Sequence, residues 1–417
     1  MIGDEHNKMI TNSTIINYSI INKMNEGATK MKYRINPKNG DKLSALGFGC
    51  MRFAKDEQEV ERQIIYAIEH GVNYFDTAYI YPKSEAILGR VLAKGYRDRV
   101  KIATKMPPYL VKKYEDLDKL FETELERLQT NHIDYYFLHM LTDVNIWTRL
   151  VNLGILKWIE EKKQAGQIIN IGFSYHGGRD EFKKLIDIYD WEFCMIQFNF
   201  LDENRQAGKE GLKYAAAKGL PVMIMEPLRG GKLVTNLPKE VYKVWDKADV
   251  KRSPAEWAFR WIWNHPEVTV VLSGMNSQAM VEENINVASQ AEANAFTEAD
   301  FDLFNQVTDI LNQKIKISCT GCNYCMPCPM GVDIPTCFST YNDREIEGKT
   351  AALSKYIMQT SVKSQTSNAS RCTKCGKCES HCPQNIKIRD ELTTVTKAME
   401  GFYYKPTRFL IKRFMRL

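Results

Sequence analysis

Between about residues 45 and 292 the chain alternates short apolar runs with longer stretches of helical period, and it does so eight times. The runs are LGFGC (46–50), VNYFD (72–76), VKIATK (100–105), IDYYFLH (133–139), IINIGFS (168–174), FCMIQFN (193–199), LPVMIME (220–226) and VTVVLS (268–273). Between them lie amphipathic pieces such as EVERQIIYAIEHG, LDKLFETELERLQ, GILKWIEEKKQAG and GKEGLKYAAAKG, several of which close on the glycine that commonly ends a helix. Eight strand–helix units over about 250 residues predict an α/β fold, a TIM (β/α)8 barrel. An open doubly wound sheet is the weaker expectation, because no G-x-G-x-x-G turn follows the first run. Ahead of that run, KYRINPKNGDKLSAL places Asn39-Gly40 between two short extended pieces, the signature of a hairpin that would cap the bottom of the barrel.

The 417 residues are enough for two or three domains at roughly 150 residues each. With 44% hydrophobic and 26% charged residues, collagen-like, coiled-coil and wholly disordered chains are excluded. No run approaches the ~18 apolar residues of a membrane span, and Asp4, Glu5 and scattered Asn, Thr and Ser break up the N-terminus, so a signal peptide is not expected and a cytoplasmic location is. Residues 1–31 show no period and read as a disordered extension. Residues 32–315 form the barrel segment, ending in the amphipathic stretch FTEADFDLFNQVTDILNQ (296–313). Residues 316–400 form a cysteine domain and 401–417 a basic amphipathic tail.

Of the 11 cysteines, nine lie between Cys319 and Cys382. In a reducing compartment such a block reads as metal ligation rather than a disulfide framework. The first run is CTGCNYCMPCP, with Cys319, Cys322, Cys325 and Cys328; the second is CTKCGKCESHCP, with Cys372, Cys375, Cys378 and Cys382. The second run matches the C-x-x-C-x-x-C-x-x-x-C-P run of bacterial ferredoxins, and three thiols at consecutive x-x spacing suit a cubane corner better than a zinc site. This resemblance implies a mainly α-helical, ferredoxin-like domain with two [4Fe-4S] clusters. In two-cluster ferredoxins the fourth cysteine of each run serves the other cluster, which here groups Cys319, Cys322, Cys325 and Cys382, and separately Cys372, Cys375, Cys378 and Cys328. The first run is one residue short before Cys328; Cys337 is the substitute, though it reads better as a small buried residue. Residues 319–417 carry 15 Lys and Arg against 8 Asp and Glu, which leaves 42 against 43 upstream. Negative clusters account for that local excess better than nucleic acid does, and packing accounts for the tail better than membrane contact.

Barrels gather their chemistry at the C-terminal ends of the strands, and those ends read Asp76, Lys105, His139, Ser174 and Gln197. With GFGCMR, FDTAYIY, ATK, DYYFLH, GFS, IQFN, EPLRGG and SGMNSQAMVEEN, the chain from about 32 to 315 resembles an aldo-keto reductase, in the branch that carries a C-terminal dicluster domain. The resemblance implies a catalytic tetrad of Asp76, Tyr81, Lys105 and His139. Tyr81 would give a proton to a carbonyl oxygen, Lys105 would lower its pKa, Asp76 would hold Lys105 charged, and His139 would orient the substrate. It also implies NADP or NAD as cofactor, with Ser174 and Gln197 on the nicotinamide carboxamide and Met225 where an aromatic residue often stacks. Pro227, Leu228, Gly230, Gly231 and Lys232 would lie over the pyrophosphate, and Ser273, Gly274, Glu283 and Asn284 at the adenosine end. Tyr175 stands where many relatives have asparagine. Met280 takes the place of an arginine for a 2′-phosphate, so NADH stays open beside NADPH.

The expected activity is hydride transfer to or from a small-molecule carbonyl or alcohol. The clusters would be structural or would serve a redox partner, a ferredoxin or a flavoprotein. The alternative is an electron-transfer or docking protein that uses the barrel as a scaffold.

Overall fold

The computed structural model describes residues 30–346, 348–361 and 366–414. The extension expected over 1–31 therefore lies almost wholly outside the described residues; of its last residues, Met31 is buried in the barrel core.

All eight apolar runs are strands. β1 (Tyr33–Ile35) and β2 (Lys42–Ser44) form an antiparallel hairpin; β3 (Leu46–Gly49), β4 (Tyr74–Asp76), β5 (Lys101–Met106), β6 (Ile133–Leu141), β7 (Ile168–Tyr175), β8 (Phe193–Gln197), β9 (Val222–Met225) and β10 (Val268–Ser273) follow. β3 to β10 close into a parallel barrel in sequence order, with β10 pairing β3. Side chains alternate across each strand, so one set points inward: Tyr74, Ala103, Tyr135, Phe137, Phe193, Met195, Met223, Val270 and Leu272 fill the interior. The hairpin seals the N-terminal end as expected. Leu43 packs into that interior cluster, and the Tyr135 hydroxyl donates to Asp41 at 2.7 Å while accepting from Asn36 Nδ2 at 3.1 Å.

The other strand face packs on a ring of helices. The last of these, Glu298–Lys314, starts at a reciprocal cap in which Thr297 Oγ1 accepts from the Asp300 backbone and the Asp300 carboxylate accepts from that of Thr297. From Ile317 onward a second apolar core takes over, built from Val332, Ile334, Phe338, Tyr356, Ile357, Leu392 and Val395 among others. Its elements are helices Ile334–Ile346, Lys349–Thr360, Ile388–Met399 and Tyr404–Phe414. Tyr404 anchors the last helix through its hydroxyl to Ser361 Oγ at 2.8 Å, while Phe409 and Leu410 stay exposed. Among the described residues no helix is long and apolar enough to cross a membrane.

Candidate active site and cluster sites

The barrel register lines up the polar strand ends side by side. Asp76 closes β4, Lys105 sits next to last in β5, His139 near the end of β6, Ser174 near the end of β7, Gln197 closes β8, Met225 closes β9 and Ser273 closes β10. Gln197 is in register with Met225, and Ser174 with Met195 two residues before Gln197. Tyr81 comes from the loop after β4, turned inward by a backbone bond from its N–H to Ala78 O.

Lys105 is almost fully buried, and its ammonium donates to Asp76 Oδ1 at 2.5 Å and to the Thr77 carbonyl at 2.7 Å. A buried cation without such partners would be prohibitively costly. The same ammonium lies 5.3 Å from the Tyr81 ring centroid and 5.3 Å from that of Phe137. The Tyr81 ring stands edge-on to His139, with centroids 6.0 Å apart. Burial pushes the Asp76 carboxyl up, with Lys105 opposing the shift. Burial also holds the His139 imidazole far below its ordinary value, with Lys105 and His176 adding to the effect. His139 is therefore neutral and able to hydrogen-bond a carbonyl rather than carry charge.

One expectation about Tyr81 changes. Its phenol is pushed up rather than down, chiefly by burial and next by the neighbouring Tyr324. Lys105 spends its hydrogen bonds on Asp76 and Thr77, and the Tyr81 hydroxyl meets Tyr324 instead, at 3.5 Å.

Tyr324 belongs to the cysteine domain, which is seated across the barrel mouth. Its hydroxyl also lies 3.3 Å from His139 Nε2. Around it, Arg52 donates to Gly321 O at 3.2 Å, Arg229 to Ser318 O at 3.4 Å, and Lys232 to the Ser339 hydroxyl. Gln384 Nε2 donates to Gln197 Oε1 at 2.7 Å, and Gln206 Nε2 bonds both Gln197 Oε1, at 2.6 Å, and Pro383 O, at 3.0 Å. Gly230, in the turn expected over a pyrophosphate, has φ +65°, and a Cβ there would stand 2.3 Å from Thr320 O. Only glycine lets the two segments approach so closely.

The other expected nucleotide residues are in place but engaged locally. Asn284 is buried and donates to Ser273 Oγ at 3.0 Å; Glu283 accepts from Ser253 Oγ at 2.6 Å; Ser174 Oγ accepts from the Met140 backbone at 2.8 Å. Pro227 is buried and Leu228 half-buried in the turn, Gly231 has φ +90°, and Gly274 is exposed beyond β10. Tyr175 faces the outer helices, its ring 4.9 Å from that of Phe182, and so is not part of the mouth. By kind, an amide, a hydroxyl and a glycine turn with a lysine suit a dinucleotide. With the cysteine domain seated, the Gln197 amide is already occupied.

In the cysteine domain, Cys319, Cys322, Cys325 and Cys382 line one cavity together with Ile334, Phe338 and Ile388. The fold thus brings together the four thiols grouped for one cluster. Cys378 feels both Cys372 and Cys328, which brings the shortened first run to the second thiol group. Left-handed backbone at Gly321, Asn323, Lys374 and Gly376 curls the C-x-x-C loops, and the Lys374 N–H approaches the Cys372 sulfur at 3.4 Å, a geometry that favours anionic sulfur. Among the described residues no three or more His, Cys, Asp or Glu side chains converge on a point fit for a single metal ion. Thiols arrayed around a cavity suit a multi-iron cubane. Cys337 is fully buried, its sulfur 3.8 Å from Ser367 O, as a packing residue would be.

Neither the reach of Tyr324 nor that of Gln384 was visible in the sequence. Tyr324 lies inside the first cysteine run and Gln384 directly after the second, where ligand spacing dominates the pattern. The buried Arg229–Asp202 pair, at 2.7 Å, was missed too, because Asp202 follows β8 in an irregular loop.

A parallel barrel with a buried Lys–Asp pair, a tyrosine and a neutral histidine at its C-terminal rim, under a cysteine domain, defines an oxidoreductase of the α/β-barrel class that carries iron–sulfur ligands. The chain belongs to the aldo/keto reductase family, whose profile matches residues 45–308, and the 4Fe-4S dicluster domain profile matches residues 318–386. It is 28% identical over 227 residues to the Bacillus subtilis "Uncharacterized oxidoreductase YrpG", covering 49% of this chain and 68% of that protein. It is 26% identical over 289 residues to the Glycine max "Probable aldo-keto reductase 1", covering 59% and 81%. Among solved structures, the holo form of aldo-keto reductase AKR11C1 from Bacillus halodurans superposes with a TM-score of 0.57 at 26% identity, over 66% of this chain and 96% of that one.

Proposed function

We propose that this chain is a cytoplasmic NAD(P)-dependent oxidoreductase that interconverts a small carbonyl compound and its alcohol at Tyr81, Lys105, Asp76 and His139. The observation that carries this reading is the buried Lys105–Asp76 pair, placed against the Tyr81 ring with a neutral His139 alongside. A nicotinamide held by Ser174 and Gln197 would supply or take the hydride. The chain's own part is to present the Tyr81 hydroxyl proton to the carbonyl oxygen, to fix that oxygen's direction with His139, and to keep a compensating cation nearby in Lys105. The lack of any Lys or Arg from Ser273 to Asn284 fits NADH as well as NADPH.

The eight thiols would hold two [4Fe-4S] clusters, which add one-electron chemistry beside the barrel and suit a ferredoxin or flavoprotein partner. We place the division between the two domains near residues 315–316, where the last barrel helix ends and the second core begins.

A second reading, an electron-transfer protein with the barrel as scaffold, gains from one observation: Tyr324 and Gln384 fill the mouth. Anaerobic full-length protein, with iron and sulfide quantified, should oxidise NADH or NADPH in the presence of aldehydes, ketones or quinones. Oxidation with none of them, together with no measurable nucleotide binding, would leave the scaffold reading.

A further inference from the structure

We propose that the cysteine domain shares the barrel's active site, and that Tyr324 and Gln384 determine what enters it. Tyr324 holds the place of the substrate oxygen and Gln384 the place of the nicotinamide carboxamide, so carbonyl compound and dinucleotide bind only as these side chains withdraw. The proposal rests on the preceding reading of Tyr81, His139 and Gln197.

A carbonyl oxygen reduced at this site must lie within hydrogen-bonding reach of both the Tyr81 hydroxyl and His139 Nε2. Among the described residues the Tyr324 hydroxyl does so, at 3.5 and 3.3 Å. Its ring is wedged edge-on against His139 and His176, with centroids 6.0 and 6.4 Å away. Its backbone is flanked by Cys322 and Cys325, so the position is set by the fold of a cluster-binding loop rather than by a free surface side chain.

Gln197 gives an independent count. An amide oxygen has two lone pairs, and here they accept from Gln206 and Gln384 at 2.6 and 2.7 Å, while Nε2 donates to Asp202 at 3.0 Å. A nicotinamide carboxamide donating to Gln197 needs one of those lone pairs. Gln206 and Asp202 belong to the barrel, so the exchangeable partner is Gln384. An open cleft of about 290 Å³, lined by Gly177, Gly178, Arg205, Gln206, Pro383 and Gln384, adjoins that side chain and gives it somewhere to go. Thr320 O over Gly230 covers a third part of the same nucleotide path.

A ligand that binds only the withdrawn arrangement has its affinity reduced by the fraction of molecules in that arrangement, so weakening the seated contacts tightens binding. The test is titration of anaerobic, cluster-loaded, full-length protein with NADH and NADPH, followed by tryptophan fluorescence, for the parent, Gln384→Ala and Tyr324→Phe. Iron content is checked in each. Tyr324→Phe keeps the ring and its packing and removes only the hydroxyl. The expected result is about tenfold tighter nucleotide binding in Gln384→Ala and about fivefold in Tyr324→Phe, at unchanged iron. Equal or weaker binding in both variants overturns the proposal while leaving the nicotinamide reading intact. No binding in any of the three overturns the nicotinamide reading itself, and the shared site with it.

Discussion

The barrel rim and the cysteine domain hold reactive groups in opposite ways. At the rim, Asp76, Lys105 and His139 come from three adjacent strands, locked in register by the ladder and backed by a continuous apolar core, and the buried cations Lys105 and Arg229 each have a counter-ion within the barrel, Asp76 and Asp202. In the cysteine domain, eight thiols sit on two irregular loops over a much smaller apolar core. The barrel can assemble its site from backbone geometry alone. The cysteine domain has little besides its loops to set the spacing of its thiols, so what it binds becomes part of its folding free energy. Rim substitutions should therefore damage chemistry or the barrel's own stability, and ligand substitutions should damage architecture on the other side of the interface.

The largest effect should come from breaking the internal ion pair. Asp76→Ala leaves the Lys105 ammonium buried without its carboxylate and should cost the barrel about 3–5 kcal/mol, read as a lower unfolding midpoint, with iron per folded chain unchanged. Iron loss in step with barrel destabilisation would show that the two regions are one cooperative unit. Tyr81→Phe should instead spare stability and iron, leave nucleotide binding nearly intact or slightly tighter through loss of its contact with Tyr324, and slow turnover by at least about 100-fold in steady-state assays. Unchanged turnover would remove Tyr81 from its role.

On the other side, Cys375→Ala should lower iron from about eight to about four per chain and loosen the domain to proteolysis while the barrel's thermal transition stays in place. A smaller difference concerns the cofactor. Preference for NADPH over NADH should stay below about tenfold, because charge-assisted contacts of about 1.5–3 kcal/mol are lacking between Ser273 and Asn284. Parallel titrations of the two nucleotides measure it, and a hundredfold preference would locate a cation elsewhere.

A pH slope in the barrel is a separate effect, read on stability rather than on turnover or cofactor choice. Burial lowers His176 to about 4, so between pH 6.5 and pH 4 the unfolded chain binds more protons than the folded one. Stability from this group is fully present above pH 6.5 and drains away as the pH falls through that window, by at most about 1.4 kcal/mol per pH unit. His176→Gln should flatten that part of a thermal-midpoint profile, and an equally steep profile would assign the slope to other groups, such as His139.

The strand order, the rim residues and the thiol grouping were legible in the sequence for definite reasons. A buried parallel strand must be apolar nearly throughout, so a polar residue at its end, such as Asp76 or Gln197, stands out against its neighbours. Cysteine ligands repeat at fixed short spacing because a loop can wrap a cluster in few ways, and it was the resemblance to two-cluster ferredoxins that grouped Cys382 with the first run, whose cavity it lines. The suppression of the Tyr81 pKa was expected from the presence of Lys105 but depends on which group the phenol meets, and it meets Tyr324.

The sequence by itself determined the barrel, its polar rim and a domain of two four-cysteine groups, because each is written in a local period: apolar runs, helical repeats, x-x spacings. Only the tertiary structure decided that the second domain lies in the mouth of the first. Contacts such as Tyr324 with His139, Gln384 with Gln197 and Thr320 with Gly230 join residues about 90 to 190 positions apart. They depend on the relative orientation of two independently packed cores, and no spacing within either segment encodes that orientation.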